Sequence, residues 1–79
     1  MRLPRDVSGA RLIDTLCRNY SYGRVHQVGS HVILETDTPV HHRIAIPNHE
    51  SLRIGTLNSI LRTVAAAQRI DKKEILRSL

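Results

Sequence analysis

At 79 residues with 41% hydrophobic side chains, the chain has material for one domain around one small core, spanning residues 1–79, and none for a second. Twelve Lys plus Arg against seven Asp plus Glu leave a formal net charge of +5, which points to a polyanionic partner. The lone Cys17 excludes an internal disulfide, and Arg2 and Arg5 are followed by no apolar run fit for a signal peptide or a membrane span, so a soluble cytoplasmic protein is expected.

Ser8 reads as the N-cap of a first helix, with Val7 and Leu12 spaced as a hydrophobic staple. Leu12, Ile13, Leu16, Cys17 and Tyr20 recur at helical spacing to about Asn19, so this helix buries one face and carries no chemistry. Two runs of strand formers follow, joined by Gly29-Ser30. Glycine at the first central position suits a type II′ hairpin turn. That turn sets Val28 opposite His31, Gln27 opposite Val32 and His26 opposite Ile33, and the same register continued pairs Val25 with Leu34 and Arg24 with Glu35. Val25, Val32 and Leu34 then face the core. Arg24, His26, Val28, His31, Ile33 and Glu35 face outward, with an Arg24–Glu35 ion pair across the strands.

Asp37-Thr38-Pro39 ends the second strand, and His42-Arg43-Ile44-Ala45-Ile46 alternates as a third, closed by Pro47-Asn48. A second helix opens near Gly55-Thr56, with Leu57, Ile60, Leu61, Val64 and Gln68 on one face. Asp71 caps a short third helix running to about Leu79, with Ile70 and Ile75 as its staple. The expected fold is α+β: helix, three-stranded antiparallel meander, helix, short helix, with the helices covering one face of the sheet.

Ten of the twelve basic residues are arginines, whose planar fork suits phosphate. Tyr20 and Tyr22 are the only aromatics, which disfavours a sheet that stacks unpaired bases and favours contacts to backbone and shape. Five histidines remain to be read. His41 and His42 are neighbours whose side chains diverge on an extended chain, and no spacing of His, Cys and carboxylates matches a metal-ligand frame, so no metal site is expected. His26 is a surface strand residue on the face of His31. His49 follows Pro47 in a loop, placed either to cap or pack there or to approach a substrate from the rim. A histidine surrounded by arginines suffices for RNA cleavage, because the strand carries its own nucleophile in the 2′-hydroxyl and needs only proton transfer and charge stabilisation.

Gly29-Ser30-His31 before an apolar strand, then Ile46-Pro47-Asn48-His49, then Gly55-Thr56-Leu57 and Ile60-Leu61 opening the second helix, resemble the HicA family of messenger-RNA interferase toxins. The resemblance runs from Ser8 to Glu74-Ile75-Leu76. It implies a double-stranded-RNA-binding-domain-like fold, a catalytic histidine at His31, no metal or organic cofactor, and a HicB-type antitoxin that covers the toxin. Gly29, Ser30, Arg24, His26, Arg43 and His49 are the accompanying candidates for RNA contact. Two other classes fit the same residues: an RNA-binding module without catalysis, and a protein-interaction subunit that docks a partner on its open sheet face.

Overall fold

The computed structural model describes residues 4–79; Met1, Arg2 and Leu3, and with them the charge assigned to Arg2, lie outside the described residues. The order is α1 (Gly9–Asn19), β1 (Gly23–Val28), β2 (His31–Thr36), β3 (His42–Pro47), α2 (Ile54–Gln68) and α3 (Lys72–Ser78). The strands form one antiparallel sheet in the order β1-β2-β3. This is the expected α+β arrangement, and its element order matches that of a double-stranded-RNA-binding-domain-like fold.

Local signals account for the element ends. The Ser8 hydroxyl accepts from the Arg11 N–H at 3.0 Å, and Val7 and Leu12 are both fully buried, as a staple requires. Asp71 accepts from the Lys73 N–H at 2.9 Å and starts α3, whose Ile75 is driven fully into the core. Between them α2 stops without glycine: Arg69 takes a left-handed conformation (φ 59°), and the N–H groups of Arg69 and Ile70 return to the Ala66 and Ala65 carbonyls at 3.3 and 3.0 Å. Lys72 then donates to Asn58 at 2.8 Å, tying α3 back onto α2.

Leu12, Leu16, Leu34, Ile46, Leu57 and Leu61 are fully buried between the helices and the sheet. Each such side chain contributes about 1.5–3 kcal/mol of transfer free energy. The rows Val32–Ile46 and Leu34–Ile44 point into this core, while His31–Pro47, Ile33–Ala45 and Glu35–Arg43 line the opposite, open face. Helices cover one face only, as the sequence suggests.

β1 departs from expectation. Its pairing runs Val28–His31, Gln27–Val32 and His26–Ile33, but then Arg24 meets Leu34 and Gly23 meets Glu35, so Val25 is an extra residue in a bulge. Val25 is 48% exposed instead of sharing the core, and all of β1 lies exposed, since it is an edge strand and the helical layer approaches the sheet at β3. The bulge also removes the expected Arg24–Glu35 pair: Arg24 moves into the Leu34 row, on the helix side, and Glu35 pairs with His41 instead.

One close approach joins the helical layer to the end of the sheet. The Gly9 N–H donates to the His49 carbonyl at 2.8 Å, and the Leu52 N–H donates to the Val7 carbonyl at 2.8 Å. A Cβ on Gly9 would overlap the Pro47 carbonyl oxygen and stand 2.8 Å from the Asn48 Cα, so only glycine fits. Both obstacles are backbone and cannot swing away. Gly9→Ala is therefore expected to destabilise the fold by about 1–3 kcal/mol, despite alanine's better helix propensity. Urea unfolding of the variant beside Ala10→Gly checks this, and equal or greater stability for Gly9→Ala would contradict it.

Candidate nucleic-acid interface at the hairpin end of the sheet

Gly29 takes a positive φ of 58° in the turn between β1 and β2, as the first position of a type II′ turn demands. The Gln27 side chain donates to the Gly29 carbonyl at 3.1 Å and braces the turn from within β1. Across the sheet, the Asn48 N–H donates to the Ser30 carbonyl at 2.7 Å, extending the β2–β3 ladder past its last strand pair, His31–Pro47. The turn is held from both sides. His31 is exposed at the corner where it closes, flanked by Val28 on β1 and Pro47 on β3.

The chain leaving β3 stays at this corner. His49 is exposed, its carbonyl fixed by Gly9, and its residue lines a hollow of about 370 Å³ together with Pro47, Ser51, Leu52, Arg53 and Thr56. Helix α2 starts here with Arg53 at its N-cap and no side chain capping its first N–H groups, and α1 starts beside it. Neither helix has an acidic residue in its first turn. Two helix N-termini with Arg11 and Arg53 thus bring partial and full positive charge to the end that carries His31, with Asp6 and Glu50 as the local acids. A larger hollow of about 720 Å³ lies against His42, Ser59, Arg62, Thr63, Ala66 and Ala67. It sits by the opposite end of β3, away from His31.

Of the residues singled out from sequence, Gly29, Ser30, His31 and His49 gather at one corner. His26 shares the open face with His31, opposite Ile33 and two pairs further along the ribbon. Arg43 is on that face too, but opposite Glu35, four residues along β3 from Pro47 and so about 13 Å away. Arg24 is separated from them: the bulge turns it toward α1, where its charge lowers the Cys17 pKa against the larger upward push of burial. Cys17 itself is a free, partly exposed thiol at the edge of the core. Ser51 and Thr56 belong to the hollow and carry no sequence signal that marks them.

At the far end of the sheet the adjacent histidines part, as an extended chain requires. His41 is exposed, with Nδ1 2.8 Å from Asp37 and Nε2 3.3 Å from Glu35. His42 turns inward, its Nδ1 2.7 Å from the hydroxyl of buried Tyr22. Among the described residues no group of three His, Cys, Asp or Glu is placed to hold a metal ion.

The sequence matches the family described as the HicA toxin of bacterial toxin-antitoxin over residues 14–65. The chain belongs to the HicA toxin family. The matched stretch contains the hairpin, His31, His49 and most of α2, while the start of α1 that completes the corner precedes it. No curated protein and no solved structure shows a significant match. Among the described residues no helix of this HicA-family chain is long and apolar enough to cross a membrane.

The two adjacent histidines are expected to titrate on opposite sides of 6.5. The Asp37 hydrogen bond, with the Glu35 and Asp37 charges behind it, holds His41 above that value, whereas burial holds His42 below it. A raised histidine adds stability that is complete below the unfolded value and is lost as pH rises through the folded one. A depressed histidine does the reverse, costing stability as pH falls below 6.5 toward its folded value. Following the ring protons by NMR from pH 4 to 9 tests the assignment, and a higher midpoint for His42 than for His41 would refute it.

Proposed function

We propose that this HicA-family chain is an endoribonuclease that cleaves messenger RNA in the cytoplasm, with His31 moving a proton at the scissile phosphate, and that a HicB-type antitoxin silences it. The observation that carries the reading is the exposure of His31 at a corner that also receives two acid-free helix N-termini, Arg11 and Arg53. The N–H groups at the start of α2, which no side chain caps, and guanidinium forks are the donors that phosphate oxygens take. An imidazole beside a held phosphate needs no metal to remove the 2′-hydroxyl proton, because the nucleophile belongs to the RNA. Gly29 and Ser30 present the histidine, and His26 and His49 lie close enough to contact the same strand; Arg43 would reach RNA only further along the open face, and Arg24 only from the other side of the sheet.

Antitoxin fit follows from the same surface. Val28 is 58% exposed directly opposite His31, and Val25 is 48% exposed on the same edge strand. A partner that buries these apolar side chains covers His31 with them. The chain's +5 charge favours an acidic surface on that partner.

Incubating the purified protein with messenger RNA in excess chelator tests the catalytic role. The wild type is expected to cleave, and His31→Ala to cleave about 10²–10⁴-fold more slowly. Equal rates would sink the assignment. Salt-sensitive RNA binding with no cleavage by either protein would mark a binding module instead.

A further inference from the structure

The cleavage reaction needs a proton delivered as well as a proton removed, and His31 accounts for one of the two. We propose that His49 is the second proton-transfer group, acting across the phosphate from His31; the inference rests on the endoribonuclease reading above. Pro47 is the pivot. On one side it is the cross-strand partner of His31, on the open face, where directly opposed side chains stand about 5 Å apart at Cβ. On the other it lines the same hollow as His49, two residues further along the chain, a step of about 7 Å. Both histidine-bearing residues therefore adjoin Pro47, one across the strands and one further along the chain. In the proposed complex a nucleotide phosphate lies over Pro47, between them.

The backbone holds this separation. The Asn48 N–H is fixed to the Ser30 carbonyl at 2.7 Å and the His49 carbonyl to the Gly9 N–H at 2.8 Å, so the chain just past Pro47 is tied to the hairpin turn next to His31 and to the start of α1. Neither ring is spent elsewhere: no hydrogen bond or ion pair in the described residues uses the His31 or His49 side chain, whereas His41 and His42 are both engaged. The hollow around His49 adds Arg53 and Thr56, donors suited to the departing side of a phosphodiester.

The chemistry balances with these two groups alone. One imidazole takes the 2′-hydroxyl proton as the 2′-oxygen bonds to phosphorus. The bond from phosphorus to the 5′-oxygen breaks, its electron pair stays with that oxygen, and the other histidine, as imidazolium, supplies the proton. The products are a 2′,3′-cyclic phosphate and a 5′-hydroxyl, and the pair is left with its protonation exchanged.

The test compares wild type, His31→Ala and His49→Ala in two ways. First, the pH dependence of kcat/KM is measured on an ordinary RNA. The wild type should give a bell, and each variant, about 10²–10⁴-fold slower, should lose one limb: the alkaline limb with the acid, the acid limb with the base. Second, the same proteins receive an RNA with sulfur in place of the 5′-bridging oxygen, whose thiolate leaves without protonation. This substrate should restore cleavage in whichever variant lost the alkaline limb, and only in that one. Because the exposed His49 ring is removed while its carbonyl remains to bind Gly9, His49→Ala should keep the wild-type circular dichroism and melting temperature. A His49→Ala protein that keeps both limbs, or a sulfur substrate that restores neither variant or both, overturns the proposal. Failure of the wild type to cleave either RNA removes the endoribonuclease reading itself, and the role of His49 with it.

Discussion

The N–H of Gly9 sits 2.8 Å from the His49 carbonyl, at a spot where any side chain would strike the Pro47 and Asn48 backbone. Because α1 begins one residue after its cap, the helix N-terminus can be laid directly on the chain leaving β3. Three things follow from that contact. The loop carrying His49 is fixed beside the hairpin turn, α2 must start at the same end, and the helices cover the β2–β3 side of the sheet while β1 projects beyond them. Without it, the His49 loop would lose its tie to the start of α1.

The two ends of the sheet divide the work. At the hairpin end, backbone bonds hold the structure and leave histidine side chains free. At the other end side chains hold it: Gln68 donates to the Tyr20 and Thr38 carbonyls at 3.3 and 3.0 Å, His41 bridges Asp37 and Glu35, and His42 meets Tyr22. Imidazoles used as structural ties are poorly suited to moving protons for a substrate, since their protons are already committed. The proposed chemistry falls where the backbone does the holding. A small basic domain can keep an exposed reactive corner this way, because main-chain hydrogen bonds fix geometry without consuming polar side chains.

The local features were legible in the residues. The Ser8 and Asp71 caps, the Gly29-Ser30 turn, the first three pairs of the hairpin and the divergence of His41 from His42 depend on groups a few residues apart, and each occurs as read. Reading failed at Val25. An unbroken alternation continued the register past His26, but β1 is an edge strand with no neighbour beyond it, so a bulge there costs little and re-aims Arg24. The Arg24–Glu35 pair was lost with the register, and Glu35 found His41 from the next turn.

What the sequence determined by itself is the set of elements, their order, the family and a displayed histidine after a glycine turn, because each rests on short-range spacing or on a motif. What only the tertiary structure decided is company: which charges and which second histidine stand near His31, and which do not. Gly9 and His49 are far apart along the chain, and nothing in a helix start marks the one glycine whose missing Cβ lets a distant loop close upon it. Such contacts are set by the volume left between packed elements, and volume is a property of the assembled fold rather than of any stretch of its chain.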